Sequence, residues 1–448
     1  MSHLSNAIQT ATISNPKLYR DPAAADTRIF PYYAGFSSSF VRQLLASLEM
    51  EPGSTILDPW NGSGTTTQTA SDLGHRAIGI DLNPAMVVVA KARLLSPLDY
   101  PSLPPIAKSL LDQTAKACVT TTDSRPDPLE NWLSPSSAAS IRSLEHEINR
   151  MLISNEGYRT LNQRETIDSL SPLAAFFYVC LFRVTRKLLV DFIPSNPTWI
   201  KSPRSKLERK RPSRSLISTM FLEEVVNLTS LGNLYNLNEL REDKNIRLNV
   251  GNAERLQLAE DSVDAIISSP PYCTRIDYAV STAFELAVLG FSKDEFDVLR
   301  RSLTGTSTVE RMRGAIDPAW GPKCLAFLEQ LQSHPSVASK GYYFKNHAQY
   351  FRSLSSSVSE IARVLKPSGL CCLVAQDSHY KDIHNDVPSI ISEMASNVGL
   401  ELTRREDFKT SHSMVKVNAK SKRYLPSRSL NESVLVFRKQ KNSATPAR

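Results

Sequence analysis

The chain has 448 residues, 41% hydrophobic and 22% charged, with Lys plus Arg at 53 against Asp plus Glu at 45. At about 150 residues per domain this is two or three domains, or one large domain carrying an insertion, with enough apolar material for a real core. The composition excludes collagen-like, coiled-coil and wholly disordered chains, and the excess of eight positive charges suits a polyanionic partner without demanding one.

Residues 1–29 are polar and mixed and read as an N-terminal arm. No basic stretch followed by an apolar one opens the chain, so no secretory signal is expected and the protein is placed in the cytoplasm, associated with the nucleoid. From Ser38 the pattern FVRQLLASL predicts a helix. A short buried strand, Ile56-Leu57-Asp58, follows the Pro52-Gly53 turn, and DPWNGSGTTT then leads into a helix that Gly74 can end. Arg76 to Asp81 reads as a second strand. Asn83 is a good N-cap, and Pro84 suits the first turn of PAMVVVAKARLL. Strand, helix, strand, helix is the start of a doubly wound parallel α/β sheet.

That rhythm stops near Pro97. A Pro/Ser-rich linker (PSLPPI, DSRPDPLENWLSPSS) gives way to helical periodicity, including the apolar LAAFFYVCLF, about ten residues long where a bilayer span needs roughly twenty. Strands resume at Ile246–Val250 and Asp264–Ser268. A helix over VSTAFELAVLGF, a helix over Ala348–Leu365, a turn at Lys366-Pro367-Ser368-Gly369 and the strand LCCLVAQD come next. A helix over VPSIISEMASNVG and two strands near ELTRRED and ESVLVFRK close the pattern. The middle block interrupts one sheet. The expected organisation is therefore a catalytic domain over 30–96 and 246–440, with a mainly helical insertion over 97–245. Six cysteines without a CxxC pair point to neither a zinc site nor a disulfide scaffold, so no metal is expected.

Two segments carry chemistry. In open α/β sheets ligands bind at the carboxyl ends of the strands. There Asp58-Pro59-Trp60-Asn61-Gly62-Ser63-Gly64-Thr65-Thr66 joins a strand to a helix. Its glycines permit a tight turn, and the helix start offers free N–H groups. No lysine follows the second glycine, so this is not a phosphate loop. A carboxylate-plus-amine ligand fits better, with Asp58 facing the ammonium and the loop N–H groups or Thr65 facing the carboxylate. Asp81, at the end of strand two in Asp81-Leu82-Asn83, stands where a ribose diol is held. The second segment, Ser269-Pro270-Pro271-Tyr272, ends another strand in a stiff turn. It offers carbonyl and hydroxyl acceptors beside a flat aromatic face, which suits a planar base bearing an exocyclic amine.

DPWNGSGT, IDLNP and SPPY together resemble the S-adenosylmethionine-dependent methyltransferases that modify exocyclic amines of DNA bases. Trp60 stands where that family commonly has phenylalanine. The resemblance covers about residues 30–95 and 246–438. It implies a seven-stranded, mostly parallel Rossmann-like sheet with an antiparallel final strand. It also implies S-adenosyl-L-methionine as cofactor and a base flipped out of duplex DNA. The site it implies adds Tyr33 and Phe36 around the methionine part, Pro59 and Thr66 in the loop, and Asn252 and Ala253 of Gly251-Asn252-Ala253 near the adenine. In that family SPP[YF] is the form usual for cytosine-N4 enzymes, while adenine-N6 enzymes more often carry Asp or Asn in place of Ser269. The expected function is thus N4-cytosine methylation of duplex DNA; a companion restriction endonuclease or defence-system protein is the candidate partner, and the sequence leaves restriction-modification, other defence and regulation open. N6-adenine methylation, methylation of RNA base amines, and a binding protein that has lost turnover are the alternatives. A cytosine-C5 mechanism is disfavoured, because the only cysteine at this turn, Cys273, follows Tyr272.

Within the insertion, Trp199 precedes Lys201, Arg204, Lys206, Arg209, Lys210 and Arg211, opposed only by Glu208. This run, with Arg275 beyond the second motif, is the candidate DNA contact.

Overall fold

The computed structural model describes residues 13–16, 29–31, 35–116, 126–154, 158–196, 198–232, 245–273, 276–309, 315–410 and 430–441. β1 (Thr55–Asp58), β2 (Arg76–Asp81), β3 (Ile246–Val250), β4 (Val263–Ser268), β5 (Leu365–Gln376), β8 (Leu400–Thr410) and β9 (Leu430–Lys439) form a seven-stranded sheet in the order β3-β2-β1-β4-β5-β9-β8. All pairings are parallel except the two that β9 makes, with β5 and β8. The expected doubly wound α/β sheet with its antiparallel final strand is what the chain forms.

The order of the strands explains where a ligand belongs. From β1 the chain winds outward through β2 to β3, then returns to lay β4 on the other side of β1. The β1/β4 seam is therefore the switch point, and a crevice opens there beyond the carboxyl ends of the strands. β1 is buried at all four residues, as a strand covered on both faces must be, and its register sets Asp58 opposite Gly79.

Two expectations need correction. The turn at Lys366–Gly369 does not separate helix from strand. It lies inside β5 as a bulge, where the β4 register jumps from Val263↔Leu365 to Ala265↔Leu370 and Ser368 takes φ 65°. The helix over VSTAFELAVLGF is broken at Thr282 into Tyr278–Ser281 and Ala283–Val288. A small hairpin, β6 (Ser378–Tyr380) with β7 (Ile383–Asn385), also occupies residues that carried only a strand end in the sequence reading.

The insertion supplies helices Leu103–Lys116, Pro135–Leu152, Pro172–Leu188 and Arg214–Gly232. One continuous buried cluster joins them to helix Pro84–Ala92, to Leu248 and Val250 of β3, and to helix Ala283–Val288. Polar clamps fix this docking. Arg142 donates to the carbonyls of Ala287 at 2.9 Å and Val288 at 2.7 Å. Arg186 makes a forked pair with the fully buried Glu285 at 2.5 and 3.0 Å. Lys91 reaches the carbonyl of Asp168 at 2.8 Å.

Removing one partner of a buried pair strands the other charge. Arg186→Leu should therefore lower stability by about 3–5 kcal/mol. The Arg186→Leu, Glu285→Leu double variant should recover most of the loss. Denaturant melts of the wild type and the two variants check this, and a double variant as weak as the single one contradicts it.

Candidate functional site

The glycine loop is pinned before any ligand arrives. Asn61 N donates to the Ile80 carbonyl at 3.0 Å, and Gly64 N to the Asn61 carbonyl at 2.8 Å. Gly62 and Gly64 sit at φ 49° and 83°, a region that costs L side chains energy. Gly79 on β2 has no room either: a Cβ there would lie 2.5 Å from Asn61 Cγ. Helix Thr65–Asp72 begins at Gly64 with no side-chain cap. Its first N–H groups are thus available to an anion.

Two carboxylates flank this loop. Asp58, 3% exposed, accepts from the Ser268 hydroxyl at 2.5 Å and from Trp60 N at 3.2 Å, both on Oδ1. Burial pushes it up to about 6, against the lowering influence of Ser268, Thr66 and the Trp60 N–H; the neighbouring Asp81 charge adds a small upward push. Asp81 accepts from Gly62 N at 2.7 Å and Asn83 N at 2.8 Å. Burial pushes it too up to about 6, against those two backbone donors. Each carboxylate oxygen offers two lone pairs, so both residues keep acceptor capacity toward a ligand.

The second motif faces the same space. The Ser269 hydroxyl donates to the Val374 carbonyl on β5 at 2.9 Å. Tyr350 OH donates to the Pro271 carbonyl at 3.0 Å, and Tyr272 N donates to Tyr278 OH at 3.2 Å. A cleft of about 970 Å³, its open mouth included, is lined by Phe36, Asp58, Pro59, Gly62, Thr65 and Thr66 from the first segment. Asp81, Leu82, Asn83, Asn252, Ala253 and all four of Ser269, Pro270, Pro271 and Tyr272 line it as well. Gly64 does not line it but sets the start of the helix that does. Tyr33 and Arg275 lie outside the described residues.

Two expected cofactor residues also hold the fold. Asn83 caps its helix through Ala85 N at 3.1 Å, and its amide donates to Thr282 Oγ1 at 2.8 Å, across the break between the two short helices. Asn252 Oδ1, the expected adenine contact, accepts from Glu254 N at 2.9 Å and so forms its own turn, with a second lone pair remaining.

The sequence reading missed Met86, Thr282, Leu303 and Thr304 in the cleft lining. Leu303 and Thr304 follow a helix whose Arg300 pairs with the buried Asp277 at 2.7 Å. Ser307 reaches the same carboxylate at 2.8 Å. The only local signal for this is Gly305, which sits at φ 81° against the Tyr272 carbonyl. Cys273 is outside the lining, and burial pushes its thiol up to about 12, far from the thiolate a C5 mechanism requires. Asp377 accepts from Asn431 N at 2.9 Å and lies 3.1 Å from His384 Nε2, so that segment ties the hairpin to β9.

In the basic segment Lys201, Arg204, Lys206 and Arg211 are exposed, and Trp199 is 43% exposed. Arg209 is half-buried, and Lys210 pairs with Asp191. Trp132 ties the segment to the site. Its Nε1 donates to the Lys201 carbonyl at 2.9 Å, and its ring meets Phe284 edge-on at 5.0 Å. Phe284 belongs to the helix that follows Tyr278 and Thr282 of the cleft. Among the described residues no group of three or more His, Cys, Asp or Glu is placed to hold a metal, and no helix is long and apolar enough to cross a membrane.

A doubly wound sheet with this strand order, an uncapped helix after a glycine loop, and acidic residues ending β1 and β2 together form a site suited to S-adenosylmethionine. Residues 15–92 match the family model described as DNA methylase, of the N6/N4 methyltransferase type. Over those residues the chain is similar to the N6/N4 DNA methylases. The type II methyltransferase M.BsoBI of Geobacillus stearothermophilus is 25% identical over 414 residues, 83% of this chain and 77% of that one. M.AvaI, a type II methyltransferase of Nostoc sp., is 24% identical over 405 residues, 84% of this chain and 79% of that one. Among solved structures, an S-adenosylmethionine-dependent methyltransferase from Methanosarcina mazei aligns with a TM-score of 0.30 at 9% identity, over 88% of this chain and 97% of that one. The fold assignment rests on the strand order, and that alignment adds nothing to it.

The site fits the cofactor by its donor set: carboxylates at two ends, open N–H groups between, and glycines where a side chain has no room. A pH dependence follows. Both carboxylates have folded-state values raised from 3.8 to about 6. Their favourable contribution to stability is therefore full below pH 4 and lost as pH rises through 6; above that, the empty protein holds one buried and one half-buried charge. A ligand that meets them with an ammonium and a diol binds best when both are ionised. The thermal shift given by S-adenosylmethionine should be larger at pH 7.5 than at pH 5. Asp81→Asn should flatten that difference. An equal or larger shift at pH 5 contradicts the assignment of these two residues.

Proposed function

We propose that the chain methylates the N4 amine of cytosine in duplex DNA. The observation that carries this reading is the Ser269 hydroxyl. Its single proton goes to Val374 O, so its oxygen faces any substrate as an acceptor only. It sits in one cleft with Asp58 and Asp81. An acceptor-only oxygen beside a flat ring suits an NH2 group. The form of the turn, Ser269 where adenine-N6 enzymes more often have Asp or Asn, favours cytosine.

Asp81 would hold the ribose diol, Asp58 the ammonium, and the first N–H groups of helix Thr65–Asp72 or Thr65 itself the carboxylate, with Phe36, Leu82 and Ala253 supplying apolar walls. When bound, S-adenosylmethionine supplies an electrophilic methyl carbon. An exocyclic aryl amine is a poor nucleophile because its lone pair is delocalised into the ring. Ser269 Oγ and the Pro270 carbonyl, as two acceptors, draw the amine toward tetrahedral geometry and aim its lone pair. Tyr272 stacks on the ring and holds it in plane. Positioning then carries most of the rate, and a strong base is unnecessary because the proton can leave after the methyl arrives. The base must be extruded from the duplex to reach the turn.

The resemblance to type II methyltransferases supports a place in restriction-modification, with a companion nuclease reading the same site. The insertion over 97–245 would contribute target contacts, with Lys201, Arg204, Lys206, Arg209, Lys210 and Arg211 near the backbone and Trp199 against a base.

Incubation of unmethylated genomic DNA with labelled cofactor, followed by nucleoside mass spectrometry, should yield N4-methylcytosine. Label only in adenine moves the assignment to N6, and label in tRNA alone moves it to RNA. Ser269→Ala should reduce turnover about a hundredfold, whereas Cys273→Ala should stay within about twofold, since burial keeps that thiol protonated. Replacing Lys201, Arg204, Lys206 and Arg211 together by alanine should reduce the slope of log affinity against log salt by about two to four. An unchanged slope removes the segment from the interface.

A further inference from the structure

Tyr272 is held at both ends. Its amide donates to Tyr278 OH at 3.2 Å, and its phenol donates to Glu432 Oε1 at 2.7 Å. Glu432 is 2% exposed. It stands near the start of β9, paired with Gln376 of β5 on one side and Phe408 of β8 on the other. Next to it Asn431 exchanges two hydrogen bonds with Asp377, 2.9 Å from its N–H to the carboxylate and 3.1 Å from the Asp377 N–H to its carbonyl. The backbone that carries the acceptor is therefore held by strands on both sides, and the side chain is buried.

A tyrosine ring ordinarily has a broad second torsion. A phenol bonded at its tip to a buried carboxylate on a paired strand loses much of that freedom. The ring lines the cleft, so this bond decides which way its face is presented before a base arrives. Burial of an acidic side chain is costly unless it is hydrogen-bonded, and the phenol is one of the groups that offset that cost. A phenylalanine at 272 would stack as well on a base but would leave the carboxylate short of this donor.

We propose that Glu432 is a positioning residue for methyl transfer: through the Tyr272 phenol it locks the stacking face of the base pocket. The proposal rests on the base-amine reading of the cleft. Glu432 touches no substrate and acts through Tyr272 alone.

The test uses the full chain, whole-genome-amplified bacterial DNA as substrate and tritiated methyl donor. Tyr272→Phe and Glu432→Leu should each lower kcat about ten- to hundredfold. The double variant should be no slower than the worse single one, because one bond is being removed twice. Affinity for S-adenosylmethionine should stay within about twofold in all three, and Glu432→Gln, which keeps an acceptor of the same shape, should recover most of the rate. A merely structural Glu432 would instead cut cofactor affinity and rate together. Tyr272→Phe turning over like the wild type, or losses that multiply in the double variant, overturns the proposal. If the wild type labels no DNA, the proposed reaction fails and the positioning role falls with it. If the wild type is active and Tyr272→Phe matches it, the positioning role alone falls. Denaturant melts of the same proteins guard against misfolding: if Glu432→Leu does not fold, Tyr272→Phe and Glu432→Gln still decide.

Discussion

The hydrogen bond from Ser268 to Asp58 joins the two halves of the site. It spans 2.5 Å between the last residues of β1 and β4, strands separated by about two hundred residues of chain but neighbours in the sheet. Parallel pairing requires both strands to end on the same edge. One carboxyl end releases the glycine loop and the other releases the Ser269–Tyr272 turn. The two motifs therefore open on one cleft because of the sheet's topology, and the bond sets their spacing. An insertion of any length between β2 and β3 leaves that relation intact, since it enters and leaves on the far side of the switch point.

The cost of the arrangement is electrostatic. Asp58 is buried and Asp81 half-buried beside it, and both are pushed up toward neutrality. Part of the cost is met inside the fold: Asp58 takes the Ser268 hydroxyl and the Trp60 N–H, while Asp81 takes two backbone N–H groups. The donors on Asp81 come from the glycine loop itself and from the start of the next helix. The loop is thus shaped around the Asp81 carboxylate, with Gly62 and Gly64 at positive φ. A site preorganised in this way binds without first paying to order its loop.

The central part of this was legible in the sequence. β1 and β2 announce themselves as short apolar runs ending in Asp58 and Asp81, and turn residues follow each. Local chemistry there agrees with the final fold. The illegible parts depend on distant partners. Nothing around Glu432 marks it as the partner of Tyr272, since the two lie 160 positions apart. Nothing in VSTAFELAVLGF marks Thr282 as a break; the break becomes intelligible only with Asn83, which donates to its hydroxyl at 2.8 Å. The sequence marks Lys366–Gly369 as a turn, but only the β4 register shows that it is a bulge inside β5. Asn252 looked like a ligand residue and is first a turn residue; short polar side chains at strand ends often serve both purposes.

The insertion raises a question of coupling. A target-recognition element is useful only if its position is fixed relative to the base pocket. One of the insertion's connections to the cleft is the short helix Ala283–Val288. Its Phe284 packs on Trp132, its Glu285 takes Arg186, and its last carbonyls take Arg142. The same helix continues, past Thr282, from the segment bearing Tyr278, whose hydroxyl accepts from Tyr272 N. Buried aromatic and ionic contacts thus run from the exposed basic segment to the Ser269–Tyr272 turn and hold the two in fixed relation. Long buried arginines suit that task, because a forked guanidinium fixes direction as well as distance.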